Sequence, residues 1–287
     1  MQTQLLCVSL HSSEQRSSID CLHPNLMRML FEKSTFSILF FMLLTLAACK
    51  KDEAIPETTE PAGILEIRFN PTMNGVPLQA NSIFTGPNNQ RMLVENFKFY
   101  LSGLYLRSDT DSVLIKDVSF VDLIASNKTL KLAVKPGVYT ALRYAVGLTP
   151  EQNGTNNPNF DEAQFPIDHP QSIYNGMYWS WASGYIFSKI EGKIDTSATQ
   201  NQTPTFTWFY HSGLDVLYSP GSISDLSIEL KDKETTILDL AIEVNDVFRQ
   251  PGDTINIMND YFTHTTDNLG LAEKVIRNIS KSIKKKE

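Results

Sequence analysis

Of the five histidines in the chain, three lie beyond residue 50: His169, His211 and His264. His169 falls in a polar stretch (Ile167-Asp168-His169-Pro170). His211 ends a candidate strand two residues before a glycine (Phe209-Tyr210-His211-Ser212-Gly213). His264 stands just ahead of a helical pattern (Phe262-Thr263-His264-Thr265-Thr266-Asp267). Loops and element ends are where sites are built. The positive end of a helix dipole disfavours protonation of a histidine placed there, and neutral imidazole is the form that binds a metal. Imidazole near thioether or aromatic groups suits copper better than calcium or magnesium. Taken singly, each histidine is more often a capping or hydrogen-bonding residue, and the three are too far apart in sequence for spacing to join them.

The second concentration of reactive side chains is Tyr174 to Gly192, YNGMYWSWASGYIFSKIEG. Trp179 and Trp181 are two residues apart, and Met177 precedes them at the same interval. On a strand all three would project to one face. Aromatic stripes are usually core layers; oxidisable residues this dense also fit a redox-linked site.

Enzyme signatures are missing. There is no Gly-rich phosphate loop, HExxH or GxSxG, and no cysteine beyond Cys49 to act as a nucleophile. Acidic residues are scattered, and no carboxylate pair stands out. A net charge of −7 argues against nucleic acid as a partner, since that needs a basic face.

The N-terminal part reads as targeting sequence. Residues 1–26 are polar and patternless, as an upstream extension read as protein would be. From Met27, Arg28 and Lys33 form a basic region, an apolar run follows, and Leu46-Ala47-Ala48-Cys49 has the form of a bacterial lipoprotein box. The expectation is a signal peptide over 27–48, lipidation at Cys49 and location in the cell envelope. The anchor would be at the outer membrane, on its periplasmic or surface face. A flexible tether over 49–62 (KKDEAIPETTEP and its flanks) leads to a domain spanning 63–287. With a single cysteine left, that domain has no internal disulfide and must rest on core burial.

Within the domain, the apolar pattern has period two. It covers Ile64–Phe69, Asn96–Leu106, Val113–Leu123, Thr205–His211, Leu226–Leu230 and Thr236–Val244. The alternation shifts at Ser102-Gly103, which predicts a β-bulge. After the Lys135-Pro136-Gly137 turn, Val138, Leu142, Tyr144 and Val146 form the next apolar face. Short strands between Gly, Pro and Asn turns predict an all-β, antiparallel sandwich or barrel, and the expectation taken forward is a β-sandwich of the Ig or jelly-roll kind with long loops. Residues 149–173 form a long polar loop leading into the tryptophan segment. Leu271, Ala272, Val275, Ile276, Ile279 and Ile283 recur at helical spacing, so one C-terminal helix should close the domain, capped by Thr265, Thr266 or Asp267.

Several of these segments occur together in one known family. Asn175-Gly176-Met177-Tyr178-Trp179-Ser180-Trp181, followed by Ser183-Gly184-Tyr185-Ile186-Phe187 and Lys189-Ile190-Glu191-Gly192, resembles the MbnP-like family. Phe97-Lys98-Phe99-Tyr100-Leu101-Ser102-Gly103-Leu104, Gly137-Val138-Tyr139-Thr140, Tyr210-His211-Ser212-Gly213 and His264-Thr265-Thr266-Asp267-Asn268 agree with it in order. Its members are exported copper-binding proteins found beside methanobactin genes and in many other bacteria. The resemblance implies a β-rich fold, with relatives CorA and MopE, and copper held by histidines together with a tryptophan oxidised to kynurenine. A di-haem enzyme of the cytochrome c peroxidase (MbnH) type would perform that oxidation. Carried over, His169, His211 and His264 are the expected ligands. Trp179 or Trp181 is the expected modified residue, with Trp179 slightly preferred and Met177 nearby.

Three readings follow: a copper-binding lipoprotein for acquisition or storage, a protein substrate of a haem peroxidase, or an adhesion sandwich without a site. The first needs the three imidazoles to converge on one indole.

Overall fold

The computed structural model describes residues 62–125, 128–179 and 184–287. The expectations for residues 1–61, including the signal peptide, the tether and Cys49, lie outside the described residues, as does Trp181. No helix among the described residues is long and apolar enough to cross a membrane.

The principal strands are β1 (Gly63–Met73), β2 (Arg91–Arg107), β3 (Ser112–Asp122), β4 (Thr129–Val134), β5 (Ala141–Val146), β6 (Tyr178–Trp179), β7 (Gly184–Tyr185), β8 (Ser188–Ile194), β9 (Phe206–Ser212), β10 (Ser219–Ile223), β11 (Thr235–Glu243), β12 (Phe262–Thr263) and β13 (Ile283–Lys285). They form the expected sandwich. One sheet is built on β1, which pairs with β4 and β11, and β13 extends it beyond β11. The other is built on the long β2, which carries β3 along one edge and β8 and then β5 along the other. From β8 this sheet continues to β9 and β12; from β5 it continues to β10. Most pairs are antiparallel. Two run parallel, β1 with β11 and β9 with β12.

Alternation decides burial. In β1 the inward Leu65, Ile67 and Phe69 are buried, and in β11 Leu238, Leu240 and Ile242 are. In β8 the inward Ser188, Ile190, Gly192 and Ile194 are buried while Lys189, Glu191 and Lys193 face out. The bulge lies where the pattern shifts: Gly103 adopts φ +55°, and the pairing of β2 with β3 and with β5 slips between Ser102 and Tyr105. A left-handed backbone there favours glycine. The turn after Lys135 differs from expectation. Val138 is 60 % exposed, and Tyr139 takes the inward place with its hydroxyl donating to the Lys135 carbonyl.

The C-terminal helix spans Leu269–Ser282, and all six periodic residues from Leu271 to Ile283 are buried. Its cap is Asn268, whose side chain accepts from the Leu271 amide, rather than Thr265, Thr266 or Asp267. Asp267 is engaged elsewhere, accepting from the His264 amide and the Thr263 hydroxyl.

Candidate metal centre

Two of the three histidines meet. β9 and β12 are adjacent and parallel, with Phe209 opposite Phe262 and Tyr210 opposite Thr263. The next residue on each chain is a histidine, so the sequence Phe-x-His occurs twice in register. The inward residues Tyr210 and Thr263 are fully buried. The outward rings then cluster along one face, tilted or edge to face. The His211 and His264 centroids are 5.3 Å apart and nearly perpendicular; Phe209 lies 5.3 Å from His211 and 4.7 Å from His264.

A hydroxyl clamp fixes this approach. The Thr265 hydroxyl donates to the His211 carbonyl at 2.8 Å and accepts from the Gly213 amide at 2.9 Å. Thr265 is fully buried and holds φ +77°, a conformation a β-branched residue adopts only when its surroundings compel it. The strained residue follows His264 directly and turns the chain so that His264 lies beside His211.

The His211 ring is oriented from the neighbouring strand. Its Nε2 lies 2.6 Å from Glu191 Oε1 on β8, a diagonal cross-strand pair. The other carboxylate oxygen accepts from Asn96 Nδ2 at 2.6 Å, and Lys189 Nζ stands 3.4 Å from Oε1. Burial works against the charged carboxyl, but the His211 hydrogen bond, the Lys189 ammonium and the Asn96 amide outweigh it and hold the Glu191 pKa at about 2. An ionised carboxylate only accepts hydrogen bonds. The proton of the neutral His211 ring therefore sits on Nε2, and Nδ1 is the nitrogen with a lone pair for a metal. His264 Nδ1 lies 3.4 Å from Asp267 Oδ2. Burial raises the pKa of that carboxyl; the His264 amide, the Thr263 hydroxyl and the His264 ring lower it by more.

Trp179 adjoins this pair through Gly213. It is 8 % exposed, and a Cβ added at Gly213 would lie 2.7 Å from the Trp179 ring and 2.5 Å from the Tyr185 carbonyl oxygen. β6 and β7 form a short antiparallel pair with Trp179 opposite Gly184 and Tyr178 opposite Tyr185, the two tyrosine rings meeting edge to face at 5.0 Å. Met177 is fully buried in the core, and its carbonyl accepts from the Ile186 amide.

His169 is elsewhere. It lines a cleft with Lys116, Ser119 and Phe120 of β3. In a single cross-strand row, Asp122 of β3 faces Lys98, Lys98 faces Lys189, and Lys189 faces His211. Three strand spacings, about 14 Å, thus separate β3 from His211. The 149–173 loop is ordered by its own bonds. Thr149 and Gln152 make a capping box, Gln171 reaches the Gln152 carbonyl, and the Tyr185 hydroxyl donates to the Gln171 carbonyl. The loop packs on the tryptophan hairpin but carries His169 to the far edge of the sheet.

The convergence sought in the sequence is therefore a pair. Among the described residues no group of three or more His, Cys, Asp or Glu side chains is placed to hold an ion. From the sequence Glu191 has no role, and Thr265 and Asp267 stand only as helix-capping candidates, not as supports of the histidines. The repeated Phe-x-His and the outward alternation of Lys189, Glu191 and Lys193 were the available signals.

No curated protein matches the chain. Among solved structures, MbnP from Methylosinus trichosporium is similar at 14 % identity and a TM-score of 0.44, over 65 % of this chain and 78 % of that one. The family model described as MbnP matches residues 62–267, from the first strand to the turn that carries His264 and Asp267. The chain belongs to the MbnP family.

Proposed function

We propose that this protein is a non-enzymatic copper-binding protein of the cell envelope, which holds the ion with His211 and His264 beside Trp179 for acquisition or storage. The observation that carries the reading is the in-register Phe-x-His pair, which sets two imidazoles 5.3 Å apart on adjacent strands. The donor set fits copper. Imidazole binds it well, and Cu(I) is satisfied by two nitrogen donors where calcium or magnesium would demand many oxygens. Glu191 supplies the outer support usual for a ligating histidine, fixing tautomer and ring orientation. Bound copper would supply a redox-active Lewis acid. His211 and His264 would hold it, Thr265 would keep the two strands in step, and Phe209 would shield one flank from water. The Leu46-Ala47-Ala48-Cys49 box supports a lipid anchor at Cys49.

Trp179 lies against the turn that follows His211, which supports its oxidative opening to kynurenine by a di-haem peroxidase of the envelope. Trp181, in the same motif, is the alternative. Intact-mass and peptide analysis of protein from its native host reports that change and its position.

The ligand assignment is tested by competition titration with Cu(I) in an oxygen-free buffer. His211→Ala and His264→Ala are each expected to weaken binding at least tenfold, while His169→Ala leaves it unchanged. Wild-type affinity in both of the first two variants would remove the site.

A further inference from the structure

The outer face of the β2 sheet carries a second cleft, at the bulge and apart from the histidine pair. We propose that this cleft, on β2, β5 and β10, binds a small ring bearing one carboxylate, as an acidic sugar or an aromatic acid does. It holds about 270 Å³. That is below the ~300–1,000 Å³ of sites for larger ligands, so the ligand is limited to about one ring.

Strand geometry builds the cleft. Tyr105 of β2 lies opposite Arg143 of β5. Both are exposed while their chain neighbours Leu104, Leu106, Leu142 and Tyr144 are buried, so both side chains point outward. The pairing slips between Ser102 and Tyr105, and a bulge of this kind re-aims the side chain that follows it. Gly103 and Ala145 line the same cleft, and their small size leaves it open. The walls are aromatic. A Cβ added at Gly103 would lie 3.6 Å from the Tyr105 ring and 3.7 Å from the Tyr218 hydroxyl, so the two tyrosines flank one spot.

Arg143 sets the class of ligand. Its guanidinium makes no hydrogen bond or ion pair among the described residues, and no carboxylate lines the cleft. Asp111, the acid beside Ser112 at the rim, accepts from the Ser112 amide at 2.7 Å. In a chain of net charge −7, an acid-free cleft with an unpaired guanidinium selects an anion. The parallel N–H groups of arginine match a carboxylate. One cation in the lining suits one negative charge. The hydroxyls of Ser112 and Tyr218 have no partner among the described residues and can meet oxygens carried by the ring. The tyrosine rings pack on its flat or C–H face.

NMR titration of the full chain at constant ionic strength tests the site. The probes are glucuronate and 4-hydroxybenzoate, with acetate as a carboxylate without a ring and glucose as a ring without a carboxylate. Saturable shifts of the Tyr105, Tyr218 and Arg143 resonances are expected with at least one ring acid, and which of the two binds names the source. Acetate and glucose should bind more weakly. Arg143→Gln, at an exposed position, should weaken the ring acid by about tenfold. Tyr105→Ala should weaken the ring acid and leave acetate unchanged. His211→Ala should leave all four unchanged, which separates this cleft from the metal centre. No saturable shift with either ring acid, or binding undiminished in Arg143→Gln, would overturn the site. Acetate or glucose binding as tightly as the ring acids would overturn the ligand class.

Discussion

At the scale of single residues, the carboxylate behind His211 decides the most. Glu191 is charged, partly buried and held by three neighbours, and it leaves His211 only Nδ1 as a lone-pair donor. Nitrogen-correlated NMR of the metal-free protein should show His211 protonated at Nε2. Glu191→Gln keeps the size but loses the charge, and should weaken Cu(I) binding by about 10–100-fold, as loss of outer-shell partners does. The same residue gives a pH signature. Its folded pKa, about 2, lies below its ordinary value of 4.5, so its stabilising contribution is complete above 4.5 and is lost as pH falls through 2. Urea midpoints measured across that window should fall less steeply in Glu191→Gln than in the parent. Thr265 works in the opposite sense, with backbone strain offset by two hydrogen bonds. Thr265→Ser keeps the hydroxyl and should retain copper affinity, whereas Thr265→Ala should lose part of it.

At the scale of elements, the site is two strand ends and a hairpin pressed together without spare volume. Gly213 is where they touch. Gly213→Ala would push against the Trp179 ring and the Tyr185 carbonyl, and overpacking of this kind costs about 1–3 kcal/mol. Denaturant titration should show that loss, and the tryptophan emission should shift with it. Asn268 sets the register of the closing helix. Asn268→Ala should cost about 1 kcal/mol. Its neighbours Thr265 and Asp267 looked equally fit to cap in the sequence, but each is occupied by bonds to the histidine turn. Such competition between neighbouring polar groups cannot be read from residue type. The bulge at Gly103 could be, because a one-residue slip in alternation needs an extra residue and glycine accommodates its φ.

At the scale of the whole molecule, the sandwich closes late in the chain. β1 pairs in parallel with β11, and β9 waits for β12 before its histidine gains a partner. Long-range pairing of this kind slows folding. It also means that the proposed copper site would report on completion of the fold. A ligand that binds only the folded state stabilises it by mass action, by about 2.7 kcal/mol at a hundredfold excess over Kd. Cu(I) should therefore raise the Tm of the parent domain and leave that of a His211→Ala/His264→Ala double variant unchanged. Differential scanning calorimetry under argon measures both.

The sequence by itself determined the sandwich, the closing helix, the bulge and the short list of three histidines. Each of these is a local matter, set by alternation, helical period or scarcity. Only the tertiary structure decided which histidines form a pair. That choice depends on the parallel register of two strands far apart in the chain, which brings Phe209-x-His211 beside Phe262-x-His264. It depends equally on a loop that fastens to the tryptophan hairpin yet leaves His169 beside β3. Pairing register and loop course are fixed by burial and hydrogen bonding between distant segments, and neither leaves a mark at the spacing of the residues themselves.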